Sequence, residues 1–355
     1  MLQAQTAEDA FAADAKAFHQ LKVSQVVDET HDTRSFALEI PAGLQRTFSY
    51  SAGQFLTFKI AHAGLELTRC YSLSSSPETD AELRFTVKRV SGGRVSNWFN
   101  DQVTIGSVLR VLAPAGRFVL KPHQTPIVLF GGGSGITPLY SMLKTALLTT
   151  ERQVRLVYAN RDINSMIFAP KLADLQRRFT SRFELIHNLD DQQGFLSAAR
   201  LRELSADRLS ADHYICGPGP FMELTERVLL EQALPREHLF VERFVSPSDP
   251  GPQPAHPVAQ ADAAPEHFRA RWDGKLHLVP YSAGQTLLQA AIAAGIDPPY
   301  SCEEGYCSSC QAQLTRGQVR MDTNDCLSDA EVEDGCILAC QAHPLTDDIE
   351  IDWDV

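Results

Sequence analysis

Four cysteines constrain this chain more than any other feature. Cys302, Cys307 and Cys310 form a C-x4-C-x2-C run, and Cys340 follows far downstream. Three thiolates from one tight loop, closed by a fourth from a distant segment, are the ligand set of a [2Fe-2S] cluster. Gly305, Ser308 and Ser309 are small, so backbone N–H groups can approach the sulfurs and tune them. A structural zinc site is the competing reading, although zinc sites usually pair two short C-x2-C units. Cys326 and Cys336 fall outside the spacing and read as buried or incidental thiols, while Cys70 and Cys216 stand alone. Without a basic start and a continuous apolar core at the N-terminus, there is no export signal to favour disulfides.

The rest of the chain must fit around that cluster. At 355 residues there is room for two or three domains with separate cores. Short strand-like runs at 22–27, 35–40, 54–60, 83–90 and 108–112, punctuated by Gly and Pro, predict a small antiparallel β-barrel. From Pro126 the pattern changes to strand–helix alternation. Strands are expected at 127–130, 154–159, 183–187, 213–216 and 238–244, with a helix to about Leu148, giving a parallel α/β sheet. Residues 247–265 are rich in Pro, Ala, Ser and Asp and read as a semi-rigid linker. The expected limits are an N-terminal arm (1–17), the barrel (18–122), the α/β domain (123–245), the linker (246–265) and the cysteine-bearing domain (266–355). No apolar run approaches the ~18 residues needed to cross a bilayer, and the expected setting is the cytoplasm.

Two segments of the barrel carry chemistry. The first is Arg69-Cys70-Tyr71-Ser72, which resembles the R-x-Y-S signature of the ferredoxin–NADP reductase family. Alternation along a strand puts Arg69 and Tyr71 on one face. Arg69 suits a bidentate contact with a flavin pyrophosphate. Tyr71 can lie flat on the isoalloxazine, and Ser72 can hydrogen-bond near its N5. The second segment, Val87-Lys88-Arg89-Val90 followed by Gly93-Arg94-Val95-Ser96, is similar to the family's second phosphate segment, with Gly93 and Ser96 opening a helix toward phosphate. Together they imply FAD.

The α/β region offers a dinucleotide site. The glycine-rich stretch Gly131-Gly132-Gly133-Ser134-Gly135, ending in Ile136-Thr137-Pro138, lies between a strand and a helix, where N–H groups and the helix dipole favour a pyrophosphate. It is not a G-x-G-x-x-G fingerprint, and such a loop by itself is often only a turn. Its support is Cys216-Gly217-Pro218-Gly219-Pro220-Phe221-Met222, similar to the family's C-G-P ending, which implies that Cys216 lies near the nicotinamide. A buried small hydrophobe is the other reading of Cys216. Glu242-Arg243-Phe244 matches the family's acidic-x-aromatic ending, where the aromatic covers the flavin; a core Phe is the alternative. Asn160, Arg161 and Asp162 follow the second strand, where the adenine ribose is read. Arg161 suits a 2′-phosphate and Asp162 a free 2′-OH, so the choice between NADPH and NADH stays open on these residues.

The order flavin barrel, NAD(P) domain, C-terminal domain resembles the reductase components of multicomponent oxygenases from about residue 20 to 355. The nearer branch serves 3-ketosteroid 9α-hydroxylation, and the phenylacetyl-CoA epoxidase reductase is a relative. The resemblance implies a β-grasp plant-type ferredoxin domain at the C-terminus. It implies electrons passing from NADH through FAD and [2Fe-2S] to a separate Rieske-type terminal oxygenase, with Ser72, Cys216 and Glu242 at the reacting centre. An NADPH-dependent reductase of a di-iron epoxidase is the alternative. Charge bears on the partner. From Glu266 onward 16 Asp/Glu face 5 Lys/Arg, nearly all of the chain's net −12. Such a field repels nucleic acid and anionic membrane and attracts a basic protein surface, here in a transient complex; simple solubilisation is the other reading.

Overall fold

The computed structural model describes residues 17–244, 265–324 and 326–354. The expected N-terminal arm and Pro-rich linker lie outside the described residues, apart from the final residue of each. The chain divides into two compact units, Met1–Phe244 and Val245–Val355, each with its own hydrophobic core.

The first unit begins with six strands: β1 (His19–Thr30), β2 (Thr33–Glu39), β3 (Phe55–His62), β4 (Leu65–Ser72), β5 (Leu83–Lys88) and β6 (Val108–Val111). They form one antiparallel sheet in the order β4-β3-β6-β1-β2-β5. Among the described residues its two edges meet at a single bridge, Leu73–Phe85, beside a Ser74 N–H to Arg84 carbonyl bond of 2.8 Å. The expected antiparallel sheet is thus curled so that its two edge strands come together at Leu73–Phe85 and Ser74–Arg84. Inward-facing Phe36, Phe58, Phe85 and Phe99 are fully buried, with the Phe58 and Phe85 rings 4.5 Å apart. Phe99 comes from helix α1 (Arg94–Gln102), which closes one mouth of the sheet and starts directly after Gly93.

Five parallel strands follow: β7 (Ile127–Gly132), β8 (Val154–Asn160), β9 (Phe183–Leu189), β10 (Asp212–Gly217) and β11 (Leu239–Arg243), in the order β11-β10-β7-β8-β9. Each expected strand falls within or nearly within one of them. The helices are α2 (Ile136–Thr149), α3 (Ala169–Arg178), the single turn α4 (Asp190–Gln193), α5 (Ala198–Ser205) and α6 (Gly219–Glu231). Period-two alternation splits β7 between two cores. Ile127 and Leu129 face α2 and α3, while Val128 and Phe130 face α5 and α6. Both faces of the sheet are therefore covered.

The second unit contains β12 (His267–Trp272), β13 (Lys275–Pro280), α7 (Leu287–Ala293), β14 (Gln311–Arg316), β15 (Val319–Met321), α8 (Asp329–Glu333), β16 (Cys336–Leu338), β17 (Ala342–Pro344) and β18 (Glu350–Asp352). The main sheet runs β13-β12-β18-β14-β16, parallel only between β12 and β18, and α7 packs on it. This is the β-grasp arrangement. Helix α7 starts at a capping box in which the Thr286 hydroxyl and the Gln289 side chain exchange backbone bonds. Among the described residues no helix is long and apolar enough to cross a membrane.

Trp353 is the largest fully buried side chain of this unit, and its indole N–H lies 3.4 Å from the Cys310 carbonyl. Trp353→Ala removes that volume and should destabilise the unit by about 3–5 kcal/mol. The expected readout is a lower midpoint for thermal loss of the cluster's visible absorbance, with flavin release unchanged. An unaltered midpoint would refute this placement.

Candidate cofactor sites

The flavin segment is held from both sides. Arg69, Cys70 and Tyr71 lie half-buried on β4, and Ser72 ends the strand fully covered. Arg69 Nη1 donates to its neighbour's carbonyl, Thr68 O, at 2.7 Å. The Tyr71 ring packs edge-on against Phe99, 5.2 Å away, and burial pushes its hydroxyl pKa upward. The Ser72 hydroxyl is buried without a hydrogen-bond partner. An orphaned buried hydroxyl is costly unless a ligand completes it. That is the position assigned to the flavin ring, so the residues fit the group.

The second segment is more mixed. Val87 and Val95 are in the hydrophobic core, so only their main chain can face a cofactor. Lys88 points at Asp32, 3.7 Å away, and Val90 is exposed. The Ser96 hydroxyl accepts the Val90 N–H at 3.1 Å, and a Cβ at Gly93 would sit 2.7 Å from that same oxygen. A side chain at Gly93 would therefore crowd Val90 and Ser96 in the turn that opens α1.

The glycine loop and the Cys216 segment meet at van der Waals limits. A Cβ on Gly135 would lie 2.0 Å from the Cys216 carbonyl oxygen, and one on Gly132 would lie 2.7 Å from Pro218. Gly132, Gly135 and Gly217 thus serve the close approach of β7 and β10. Only Gly133 and Ser134 of the loop are accessible, and Gly133 takes φ +52° with nothing near its open side. Tyr158 holds them in place: its hydroxyl donates to the Gly133 carbonyl at 3.1 Å and accepts the Ile167 N–H. Thr137 donates to the Ser134 carbonyl at 3.0 Å.

Around the expected nicotinamide position, Cys216 is fully buried between Gly131 on β7 and Glu242 on β11. Burial, reinforced by Glu242, raises the thiol pKa well above its ordinary value, so it stays neutral. Phe244 is 40% exposed just after β11. Met222 departs from expectation. Its side chain lies in the core under α6, while Phe221 lies against Gly132 and Gly217.

At the ribose position, Asn160 is buried at the end of β8 with both amide atoms lacking hydrogen bonds. Asp162 caps the following turn, accepting from the Ser165 N–H at 2.9 Å and from its hydroxyl. Arg161 reaches the Ser165 hydroxyl at 3.3 Å and the Asp32 carboxylate at 3.7 Å. Asp32 was not evident from sequence, because it sits on the β1–β2 turn, far from Arg161 in the chain. Against the cost of burial, hydrogen bonds from Thr30 and Thr33 and the Lys88 ammonium hold its carboxyl below the usual range.

In the second unit the four expected ligands are all buried. They fall into two contacting pairs. Hydrogen bonding from Cys302 pulls the Cys307 thiol down to about 6. Contact with Cys310 likewise lowers Cys340, while Cys310 is raised. Two thiol pairs suit two irons, and thiolates are the binding form. The loop donates N–H groups inward, from Cys302 to the Cys307 sulfur and from Glu304 to the Cys302 sulfur, each at 3.4 Å. Glu303, Gly305 and Ser308 all have positive φ, which curls the loop around one centre. Cys326 is buried beside it, its thiol 3.5 Å from the Gly305 carbonyl, and burial pushes that thiol up to about 12. Cys336 is half-buried on β16.

Residues 20–120 match an oxidoreductase FAD-binding domain, 129–227 an oxidoreductase NAD-binding domain and 270–345 a 2Fe-2S iron-sulfur cluster binding domain. A 3-ketosteroid-9-alpha-monooxygenase ferredoxin reductase component from Rhodococcus rhodochrous is 42% identical over 339 residues, 94% of this chain and 96% of its own length. The chain belongs to the ferredoxin reductase components of oxygenases. A 1,2-phenylacetyl-CoA epoxidase polypeptide from Escherichia coli strain K12 is 34% identical, over 95% of this chain and 98% of its own. The solved phthalate dioxygenase reductase matches with a TM-score of 0.58 at 24% identity, over 94% of this chain and 98% of its own, which speaks for the fold. The reductase is an oxidoreductase that uses FAD, a nicotinamide dinucleotide and a [2Fe-2S] cluster.

Replacing Cys307 or Cys340 with Ser should eliminate the cluster's visible and EPR signals. NADH-dependent ferricyanide reduction should persist, because the flavin and nicotinamide segments lie in the other unit. A cluster that survives both changes would disprove the ligand set.

Proposed function

We propose that this reductase draws electrons from NADH and delivers them singly to a Rieske-type terminal oxygenase of 3-ketosteroid 9α-hydroxylation. The full-length 42% identity to the 3-ketosteroid component carries this reading over the epoxidase alternative, whose relative stands at 34%. Bound FAD and [2Fe-2S] supply the conversion of a two-electron donor into one-electron steps. The chain's residues position them. Arg69, with the main chain of Val87, Lys88, Val90, Gly93, Val95 and Ser96, holds the flavin phosphates. Tyr71 and Ser72 line the flavin ring, and Ser72 completes its hydrogen bonding near N5. Gly132, Gly133, Ser134, Gly135 and Thr137 shape the dinucleotide loop. Asn160, Arg161 and Asp162 form the ribose end. Cys216, Gly217, Pro218, Met222 and Glu242 form or support the nicotinamide end, and Phe244 covers the flavin. The domain limits we propose are 18–122, 123–245 and 266–355, joined by 246–265, in a cytoplasmic protein with access to reduced nicotinamide. Reconstituted turnover with a 3-ketosteroid Rieske oxygenase, against a di-iron epoxidase, tests the assignment; support of the epoxidase alone would overturn it.

The ribose end favours NADH. Asp162 is committed to its cap, and Arg161 faces the ionised Asp32, which would repel a 2′-phosphate. The expected kcat/KM for flavin reduction is at least about tenfold higher with NADH, equivalent to about 1.4 kcal/mol. Asp32→Asn should narrow that gap. Equal or better use of NADPH by the native protein would reverse the choice.

The partner complex is transient and steered by charge. Glu303 and Glu304 are exposed on the cluster loop of the acidic unit, so a basic patch beside the acceptor's iron–sulfur centre would complement them. Raising salt from about 0.05 to 0.5 M shortens the screening length roughly threefold. Coupled turnover should then fall while flavin reduction by NADH stays constant, and Glu303→Gln with Glu304→Gln should reproduce the loss at low salt. Coupled turnover indifferent to both would leave the acidic surface as a solubility feature.

A further inference from the structure

We infer a divalent-metal site, of zinc type, formed by His123, Asp212 and His238 at the end of the parallel sheet away from the nicotinamide segment. Three stretches converge there. His123 lies in the segment leading from the antiparallel sheet into β7, Asp212 opens β10, and His238 directly precedes β11. His123 Nδ1 is 3.1 Å and His238 Nδ1 is 2.8 Å from Asp212 Oδ1. The three ligand atoms lie within 4.8 Å of one another. Ligand atoms about 2.0 Å from a tetrahedral zinc are about 3.3 Å apart, so the two imidazole–carboxylate spacings need to open only by tenths of an ångström. Two imidazoles and a carboxylate are a common zinc donor set, leaving a fourth position for water.

The second oxygen of Asp212 is already placed as a ligating carboxylate requires. Asp212 is completely buried, and its Oδ2 accepts from Arg152 Nη2 at 2.6 Å. Arg152 is buried as well, and its other nitrogens hold the Thr125 carbonyl at 2.6 Å and the Lys121 carbonyl at 3.0 Å. One arginine therefore fixes both the carboxylate and the loop that presents His123. An outer hydrogen bond of this kind orients the inner ligand. The Arg152 charge works against a cation, so the expected affinity is modest. Binding through Nδ1 moves each ring proton to Nε2, which costs no net proton when the rings are neutral; the His123 side chain is 43% exposed and that of His238 25%.

At about 3.3 Å per residue, Asp212 is about 13 Å along β10 from Cys216. The ion would staple the two sheets' connecting segment to the starts of β10 and β11 without touching the dinucleotide. The test uses FAD- and cluster-loaded protein passed over a chelating resin, then titrated calorimetrically with zinc chloride. One equivalent should bind and raise the thermal midpoint of flavin release. His123→Ala and His238→Ala should each weaken binding at least about tenfold, the scale of losing one contact of a metal site, and the double variant should lose the thermal shift. FAD content and NADH–ferricyanide activity should match the native protein in the histidine variants. A Cys70→Ser, Cys336→Ser variant should keep the zinc. No zinc uptake, uptake unchanged in the double histidine variant, or uptake lost with the thiols would overturn the site and leave a carboxylate held by two imidazoles.

Discussion

Helix α2 is fastened to the segment that follows Arg69-Cys70-Tyr71-Ser72, and the first unit depends on that joint. The Ser141 hydroxyl donates to the Ser75 carbonyl, Thr145 and Ser76 share a 2.7 Å hydroxyl contact, and Lys144 pairs with Asp80. All sit at the face where the antiparallel sheet meets the helix launched by the glycine loop. Hydride transfer demands that reacting atoms lie within about 3–3.5 Å. A flavin positioned by β4 and a dinucleotide positioned by the β7–α2 turn can meet that demand only if the two elements are rigidly related. Buried hydroxyl-to-backbone bonds provide this, because breaking one leaves a desolvated polar group, at a cost of about 1–3 kcal/mol.

A second constraint is steric. The β7–α2 turn and the end of β10 approach so closely that side chains are excluded at Gly132, Gly135 and Gly217. The glycines therefore do two different jobs within one loop. Gly135 lets the loop pack on the Cys216 main chain, Gly132 leaves room for the Pro218 and Phe221 side chains, and Gly133 supplies a left-handed turn with open space where a Cβ would sit. The cluster loop follows the same logic with different residues. Glu303 and Ser308 accept positive φ, each at a cost of about 1–3 kcal/mol, so that the loop can close around four thiols. Three left-handed residues within six positions would be poor design for a free loop, and they make sense for one wrapped around a cluster.

Local pattern and tertiary placement divided the functional residues between them. Spacing singled out Cys302, Cys307 and Cys310, because C-x4-C-x2-C suits a loop that wraps a cluster, and the structure buries them together with Cys340. Local pattern also marked segments that fall inside the FAD-binding and NAD-binding domains, and the parallel sheet, because strand periodicity and glycine position are local properties. Side-chain direction was less accessible. Val87, Val95 and Met222 stand inside motifs, yet their side chains belong to cores, since which face of a strand or helix is covered depends on what packs there. Asp32 beside Arg161, Arg152 on Asp212, and the union of His123, Asp212 and His238 were invisible in the sequence. They join residues from separate elements with no shared motif, and only the parallel order β11-β10-β7, with the loops it brings to one end, made them neighbours.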